Sequence, residues 1–279
     1  MRIKTITFRT RYWRPGTDYL TQVTNAVRKH VEDGDIIAVS EKAISTAAGN
    51  LVDEDKIKPG KVAVFLTKIW TKKIWVKILG KICGLKAQTI DNLKNYPDKE
   101  GACHKQVALR HAGFMQSLRH YSEGGIDASN LPYSYVSLPL KDPKYIAEKI
   151  KDEIFRACNK RVSVMIGDGD TTYSWRNLHL APRKVPVPGL IHFGGVLTFI
   201  IGRVFHLRER QTPIVIVGEN ANPDRLLWLA HLFHKLSGGG AGRTVWSMAE
   251  KMETSLTEIT YEMLESVSHQ PITLIRIFS

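Results

Sequence analysis

The run Arg161–Ile166, RVSVMI, constrains this chain more than any other stretch. It is β-branched and apolar, and reads as a buried strand. It passes directly into Gly167-Asp-Gly-Asp-Thr-Thr172, which sets the carboxylates of Asp168 and Asp170 and the hydroxyls of Thr171 and Thr172 at the strand's end. Hard oxygen donors placed there suit Mg²⁺ or Mn²⁺ bound to phosphate. Strand ends are also the usual ligand crevice of open α/β sheets. The same residues equally suit a polar loop that caps a helix.

Further elements follow from periodicity. Asp18–Val31 carries Leu20, Val23, Val27 and Val31 at helical spacing, with Thr17 or Asp18 as N-cap. Ile36–Val39 reads as a buried strand followed by a polar segment, and Val62–Phe65 as another strand. Leu66–Ile82 reads as a helix with Ile69, Trp70, Ile74, Ile78 and Ile82 on one face and lysines on the rest. Asp142-Pro143 opens a helix with Ile146, Ile150 and Ile154 as its buried stripe. Ile214–Val217 and Ile272–Ile277 read as strands. Asn222-Pro223-Asp224 starts a helix that runs to about Leu236, and Thr244–Leu264 reads as largely helical. Strands and helices interleave without a regular βαβ rhythm. The fold class expected is therefore mixed α/β (α+β), in one unit over residues 1–279.

Composition narrows the partners. The 279 residues are 43% hydrophobic and 24% charged, an ordinary globular balance. A net charge of +13 attracts phosphates, nucleotides, nucleic acid or acidic surfaces. No zinc-finger, helix-turn-helix or RNP pattern supports a nucleic-acid partner. Cys83, Cys103 and Cys158 have no metal-ligand spacing, and a disulfide framework is not expected. The N-terminal MRIKTITFRTRYWRPG lacks an apolar signal region, so a cytoplasmic setting is expected. The most apolar stretch, Val185–Phe205, is interrupted by His192, Arg203, glycines and prolines. It reads as buried core or a subunit interface, and no membrane partner is expected.

Three more clusters could carry chemistry. Gly124-Gly-Ile-Asp-Ala-Ser-Asn130 frees the Asp127 carboxylate on a sharp turn, although Asp, Ser and Asn also bond their own backbone in ordinary turns. In Ser40-Glu-Lys-Ala-Ile-Ser-Thr46, Lys42 has the charge to neutralise phosphate oxygens, and Ser40 and Ser45 have hydroxyls to donate to them. A solvated loop lysine is the bland alternative. Gly238-Gly-Gly-Ala-Gly-Arg243 before a helix suits either a phosphate cradle or a linker, and no P-loop pattern is present. His231 and His234 stand three apart on a helix, a spacing that ordinary packing also produces.

Taken together, these segments resemble the coenzyme F-420 γ-glutamyl ligases (CofE-like proteins). GGIDASNLP (124–132) is similar to the family's A-G-I-D-A-S-N segment. LPLKDPKYIAEKIKDEI, RVSVMIGDGDTTYSWR and, upstream, DGDIIAVSEKAISTAAGNLV are similar to three further family segments, in the same order. The best-matching core is 33–176, and 177–279 is the divergent part. The resemblance implies a two-part fold in an intertwined homodimer. It also implies a GTP-dependent ligase that uses Mg²⁺ or Mn²⁺ to join L-glutamate to a phosphate-bearing small-molecule acceptor through an acyl phosphate. Carried over by position, Asp127, Asp168 or Asp170, and Thr171 fall at metal-ligating positions. Ser40, Lys42 and Ser45 fall on the nucleotide side, and Ser129, Asn130, Trp175 and Arg176 on the substrate side. Departures are Thr46 for a second lysine, Ala48 for a glutamate, and Gly238–Gly240 where the family has Gly-Glu-Gly.

Overall fold

The computed structural model describes residues 2–121, 123–219 and 221–278. Nine strands are found among them: β1 (Arg2–Thr10), β2 (Ile36–Ser40), β3 (Leu51–Asp53), β4 (Tyr135–Ser137), β5 (Ser163–Trp175), β6 (Leu178–Ala181), β7 (Leu190–His192), β8 (Arg208–Val217) and β9 (His269–Phe278). Seven form a mixed sheet in the order β1-β9-β2-β5-β6-β7, with β8 pairing β5 off that path. β2 and β5 are parallel, whereas β9 lies antiparallel to both β1 and β2. β3 and β4 pair separately. The architecture is mixed α/β, as expected.

Period-two alternation decides which side chains face which layer. Ile37 and Val39 of β2, with Val164 and Ile166 of β5, pack against helices Tyr19–Val27 and Pro143–Cys158 through Val23, Val27, Ile150 and Ile154. Ile36, Ala38 and Met165 face the other way, onto Leu226, Leu229, Ala230 and Phe233 of helix Pro223–Leu236. Each fully buried Ile, Leu or Val contributes roughly 1.5–3 kcal/mol, so these two layers fix the register of the central strands. The helix starts follow the sequence. Asp18, Asp142 and Asn222 accept hydrogen bonds from the backbones of Thr21, Tyr145 and Arg225, with proline at the first turn of the latter two helices.

Four expectations are corrected and a fifth is narrowed. Val62–Phe65 is not a strand but lies in helix Lys61–Phe65, which continues through Leu66–Leu79 and Gly80–Ile82. The middle piece is wound more loosely than an α-helix, Gly80 N–H reaching back five residues to Trp75 O. That pitch buries Leu66, Thr67, Thr71 and Trp75 and leaves Ile78 and Ile82 half-exposed, so the anticipated isoleucine stripe does not face the core. Ser40-Glu41-Lys42 is not a loop: Ser40 caps helix Glu41–Ala47. Thr244–Leu264 is helical over only about half its length, at Val245–Lys251 and Tyr261–Glu265. The apolar Val185–Phe205 stretch is only partly interior. Val187, Val196 and Phe199 are buried, but Ile191, Phe193, Leu197 and Phe205 are exposed.

Cys83, Cys103 and Cys158 are free thiols. Among the described residues, no helix is long and apolar enough to cross a membrane.

Candidate functional site

β2 ends at Ser40, whose register partner on the parallel β5 is Gly167. The carboxyl ends of two central strands therefore open at the same place. β9 runs antiparallel to β2, so its first residues arrive there too. At this edge lies a cleft of about 310 Å³. Its lining includes Ser40, Lys42, Asp127, Ser129, Asn130, Asp168, Asp170, His234, Arg243, the glycines 238–240 and residues 269–271. Clusters that are far apart in sequence meet in one space.

β5 does not stop at the carboxylates. The steps from Gly167 to Thr171 span only those from Pro213 to Gln211 on β8, so Gly-Asp-Gly-Asp forms an irregular bulge inside a continuous strand. A bulge re-aims side chains without ending the sheet. Here it turns Asp168 and Asp170 into the cleft. Thr171 resumes pairing with Gln211 and is not part of the lining.

The turn at 124–130 supplies the opposite wall. Gly124 and Gly125 take φ of 69° and 89°, the left-handed region where a side chain is strained. A Cβ on Gly125 would also collide with the Arg183 guanidinium. Asp127 exchanges backbone hydrogen bonds with Ser137, and its Oδ1 accepts from Ser129 N–H at 2.7 Å. Its Oδ2 lies 2.7 Å from Lys42 Nζ, which also donates to Ser129 Oγ at 2.8 Å. Asn130, at φ 56°, holds the glycine loop: its Oδ1 accepts from Ala241 N–H at 2.5 Å and its Nδ2 donates to Gly242 O at 2.7 Å. Asn130 thus positions the loop that closes the cleft.

Beneath this floor lies a buried charge cluster. Arg183 pairs with Glu41, with Asp168 Oδ2 at 3.1 Å and with Asp170 Oδ2 at 3.6 Å. Arg119 donates to Asp170 Oδ1 at 3.2 Å. Three carboxylates face two guanidiniums. Burial, reinforced by the neighbouring Asp168 charge, pushes Asp170 up to about 7. Burial also raises Glu41, against the pull of Arg183. Asp170 Oδ2 and Arg183 Nε have no hydrogen-bond partner.

The other sequence candidates lie elsewhere. Ser45 is fully buried and donates to Leu138 O at 2.8 Å. Trp175 and Arg176 sit at the exposed β5–β6 turn, outside the cleft lining. Thr46, where the family has a second lysine, bonds back to Lys42 O at 2.8 Å within its own helix. Sequence reasoning missed Glu41, Arg119 and Arg183. Glu41 adjoins Lys42 and could have been read from the same motif. The two arginines carry no local signal, because only folding brings them to the carboxylates.

Among the described residues, no group of three or more His, Cys, Asp or Glu side chains is arranged to hold a metal by itself. Mg²⁺ is usually bound by one or two carboxylates together with substrate phosphates. The partly exposed Asp127 and Asp168, with Asp170 Oδ2, which accepts no hydrogen bond, below them, fit that kind of site.

The model of the family "F420-0:Gamma-glutamyl ligase" matches residues 7–185, most of the segments that build this cleft. Two proteins of Methanocaldococcus jannaschii are similar. "Uncharacterized protein MJ1361" is 32% identical over 284 residues, covering 96% of this chain and 94% of its own. "Coenzyme F420:L-glutamate ligase" is 34% identical over 138 residues, 50% of this chain and 49% of its own. The matched region carries β2, the Asp127 turn and the β5 bulge together, and the chain belongs to the F420-0:γ-glutamyl ligase family.

Proposed function

We propose that this chain is a nucleotide- and divalent-metal-dependent ligase that joins L-glutamate to a carboxylate acceptor through an acyl phosphate, with GTP as phosphoryl donor. Membership of a ligase family and the similarity to a protein named as a glutamate ligase support this reading. The observation that carries it is the convergence of Lys42, Asp127, Asp168 and the 238–240 glycines on one cleft.

Phosphoryl transfer is mainly a matter of positioning and charge neutralisation. Lys42 is partly exposed and held by Asp127 and Ser129, so it can turn onto phosphate oxygens when they enter. Arg243 lines the same cleft, is exposed, and has no carboxylate partner among the described residues. Ser40, Ser129 and the glycine-loop amides supply neutral donors. Mg²⁺ or Mn²⁺, held by Asp127 and Asp168 beside the triphosphate, would neutralise the transferring phosphoryl group.

In the reaction, an acceptor carboxylate oxygen attacks the γ-phosphorus and GDP leaves. The glutamate amine then attacks the acyl carbon, inorganic phosphate leaves, and the amine loses a proton. Asp170, raised by burial and by the neighbouring Asp168 charge, lies buried beside this site. The protein would act as an intertwined homodimer. The exposed Ile191, Phe193, Leu197 and Phe205 would supply an apolar contact face for it.

A second reading, nucleotide binding without turnover, is favoured by Thr46, which puts a neutral side chain where the family carries a cation. The deciding assay mixes protein, GTP, Mn²⁺, glutamate and either the deazaflavin precursor or small aromatic acids, each labelled with ¹⁸O in the carboxylate. The ligase reading expects a glutamyl adduct and one ¹⁸O in the released phosphate. GTP binding with no acceptor-dependent GDP from any acid would leave only the second reading.

A further inference from the structure

Arg183 stands just past the end of β6, and its guanidinium is buried where three carboxylates meet. Its Nη2 pairs with Glu41 and lies 3.1 Å from Asp168 Oδ2, and its Nε lies 3.6 Å from Asp170 Oδ2. Its Nη1 donates to Gly124 O at 3.4 Å. The turn at 124–130 is shaped around the group, because any side chain on Gly125 would meet the guanidinium. Every nitrogen of Arg183 therefore faces a fixed neighbour.

Stability alone does not account for this arrangement. Taking a guanidinium and its carboxylates out of water costs several kcal/mol per ion, and apolar side chains of similar volume often fill such a place at least as well. The third acid adds to that cost, since Asp170 Oδ2 and Arg183 Nε face each other without a hydrogen bond. Asp168 and Asp170 also line the cleft. The cationic group thus sits directly behind the edge where Asp127 and Asp168 would hold a metal ion.

A positive charge at that point has a use. Many phosphoryl-transfer sites set two divalent ions side by side, about 3.5–4 Å apart. Mg²⁺ in such a place needs oxygens at about 2.0–2.1 Å. Here Glu41, Asp168 and Asp170 are held around a guanidinium, which is wider than an ion, and among the described residues they form no metal cage. We propose that Arg183 takes the place of a second divalent ion. A single Mg²⁺ or Mn²⁺, at Asp127 and Asp168, then suffices, and the guanidinium supplies the neighbouring positive charge that fixes Asp168 and offsets the anionic cluster beneath the phosphates. This rests on the ligase reading above, which requires the first ion.

The test counts Mn²⁺ bound per chain by equilibrium dialysis of the full chain against GTP and Mn²⁺, as the excess of metal on the protein side. The wild type and Arg183→Lys are expected to hold one ion and Arg183→Ala two, the second being lost when Asp170→Asn is added to Arg183→Ala. Mn²⁺ should also raise the unfolding midpoint of Arg183→Ala by more than it raises that of the wild type, which an arginine with a structural role only would not produce. Two ions on the wild type, one ion on a folded Arg183→Ala, or an Arg183→Ala chain that Mn²⁺ stabilises no more than the wild type would each overturn the role of Arg183 and leave the ligase reading standing. No Mn²⁺ on any of these proteins would overturn both.

Discussion

Lys42 Nζ sits 2.7 Å from Asp127 Oδ2, joining the helix that follows β2 to the turn at 124–130. Both side chains are partly exposed, at 25% and 40%. Such a pair adds only about 0–1 kcal/mol to stability. Its significance is that each partner can be exchanged: the lysine for phosphate, the carboxylate for a cation. Asp127→Asn should therefore leave the unfolding midpoint nearly unchanged. It should also remove most of the gain in nucleotide affinity that Mn²⁺ confers, measured by calorimetry with and without the metal.

Arg183 behaves differently because it is buried among three carboxylates. Arg183→Leu takes the guanidinium from Glu41 and Asp168 and leaves Asp170 with Arg119 alone, at a cost of about 3–5 kcal/mol, read from urea unfolding. Asp170 and Glu41 have raised values in the folded state, so they bind protons more tightly folded than unfolded. Their contribution is full at low pH and is lost as pH rises through the folded value, about 7 for Asp170. The penalty of Arg183→Leu should accordingly be smaller at pH 5 than at pH 8.

His104 sets a second pH response. Burial disfavours its charge, but Glu54 and Glu123 outweigh that and raise it to about 10. A raised histidine stabilises fully below its unfolded value near 6.5 and loses that stabilisation as pH climbs to about 10. Thermal unfolding of the wild type should weaken across that window, by on the order of several kcal/mol. His104→Gln should flatten the slope there while lowering stability at pH 6.

Asn130 and the glycine loop form a third testable unit. Asn130 makes close hydrogen bonds to Ala241 and Gly242, and a side chain on Gly240 would collide with it. Asn130→Ala should speed hydrogen exchange and proteolysis over 237–243. Losing two such bonds costs about 1–3 kcal/mol locally. Nucleotide affinity should fall several-fold, because the loop amides are no longer held in place.

The central layers were legible because their signals are local. Ile36–Val39 and the capped helices at Asp142 and Asn222 fall where the apolar run and the capping place them, and Arg161–Ile166 lies on a strand that begins at Ser163 and continues to Trp175. Val62–Phe65 misled because a short apolar run does not distinguish strand from helix, and the isoleucine stripe failed because the helix there has a looser pitch. β1 was invisible to pattern: none of its residues is fully buried, and it is held by pairing with β9 at the opposite end of the chain. At the site, the motifs named Lys42, Asp127, Asp168 and Asp170. They could not name Arg119 and Arg183, whose role exists only after distant segments are packed together.

The most direct measurement is calorimetric titration of GTP with Mn²⁺ into the wild type and into Lys42→Met. The expected result is a single site in the wild type and at least a tenfold loss in the variant, the scale of one lost charge-assisted hydrogen bond to phosphate, with unfolding little changed. Absence of GTP binding in the wild type, or equal affinity in a folded Lys42→Met, would contradict the assignment of this cleft to a nucleotide.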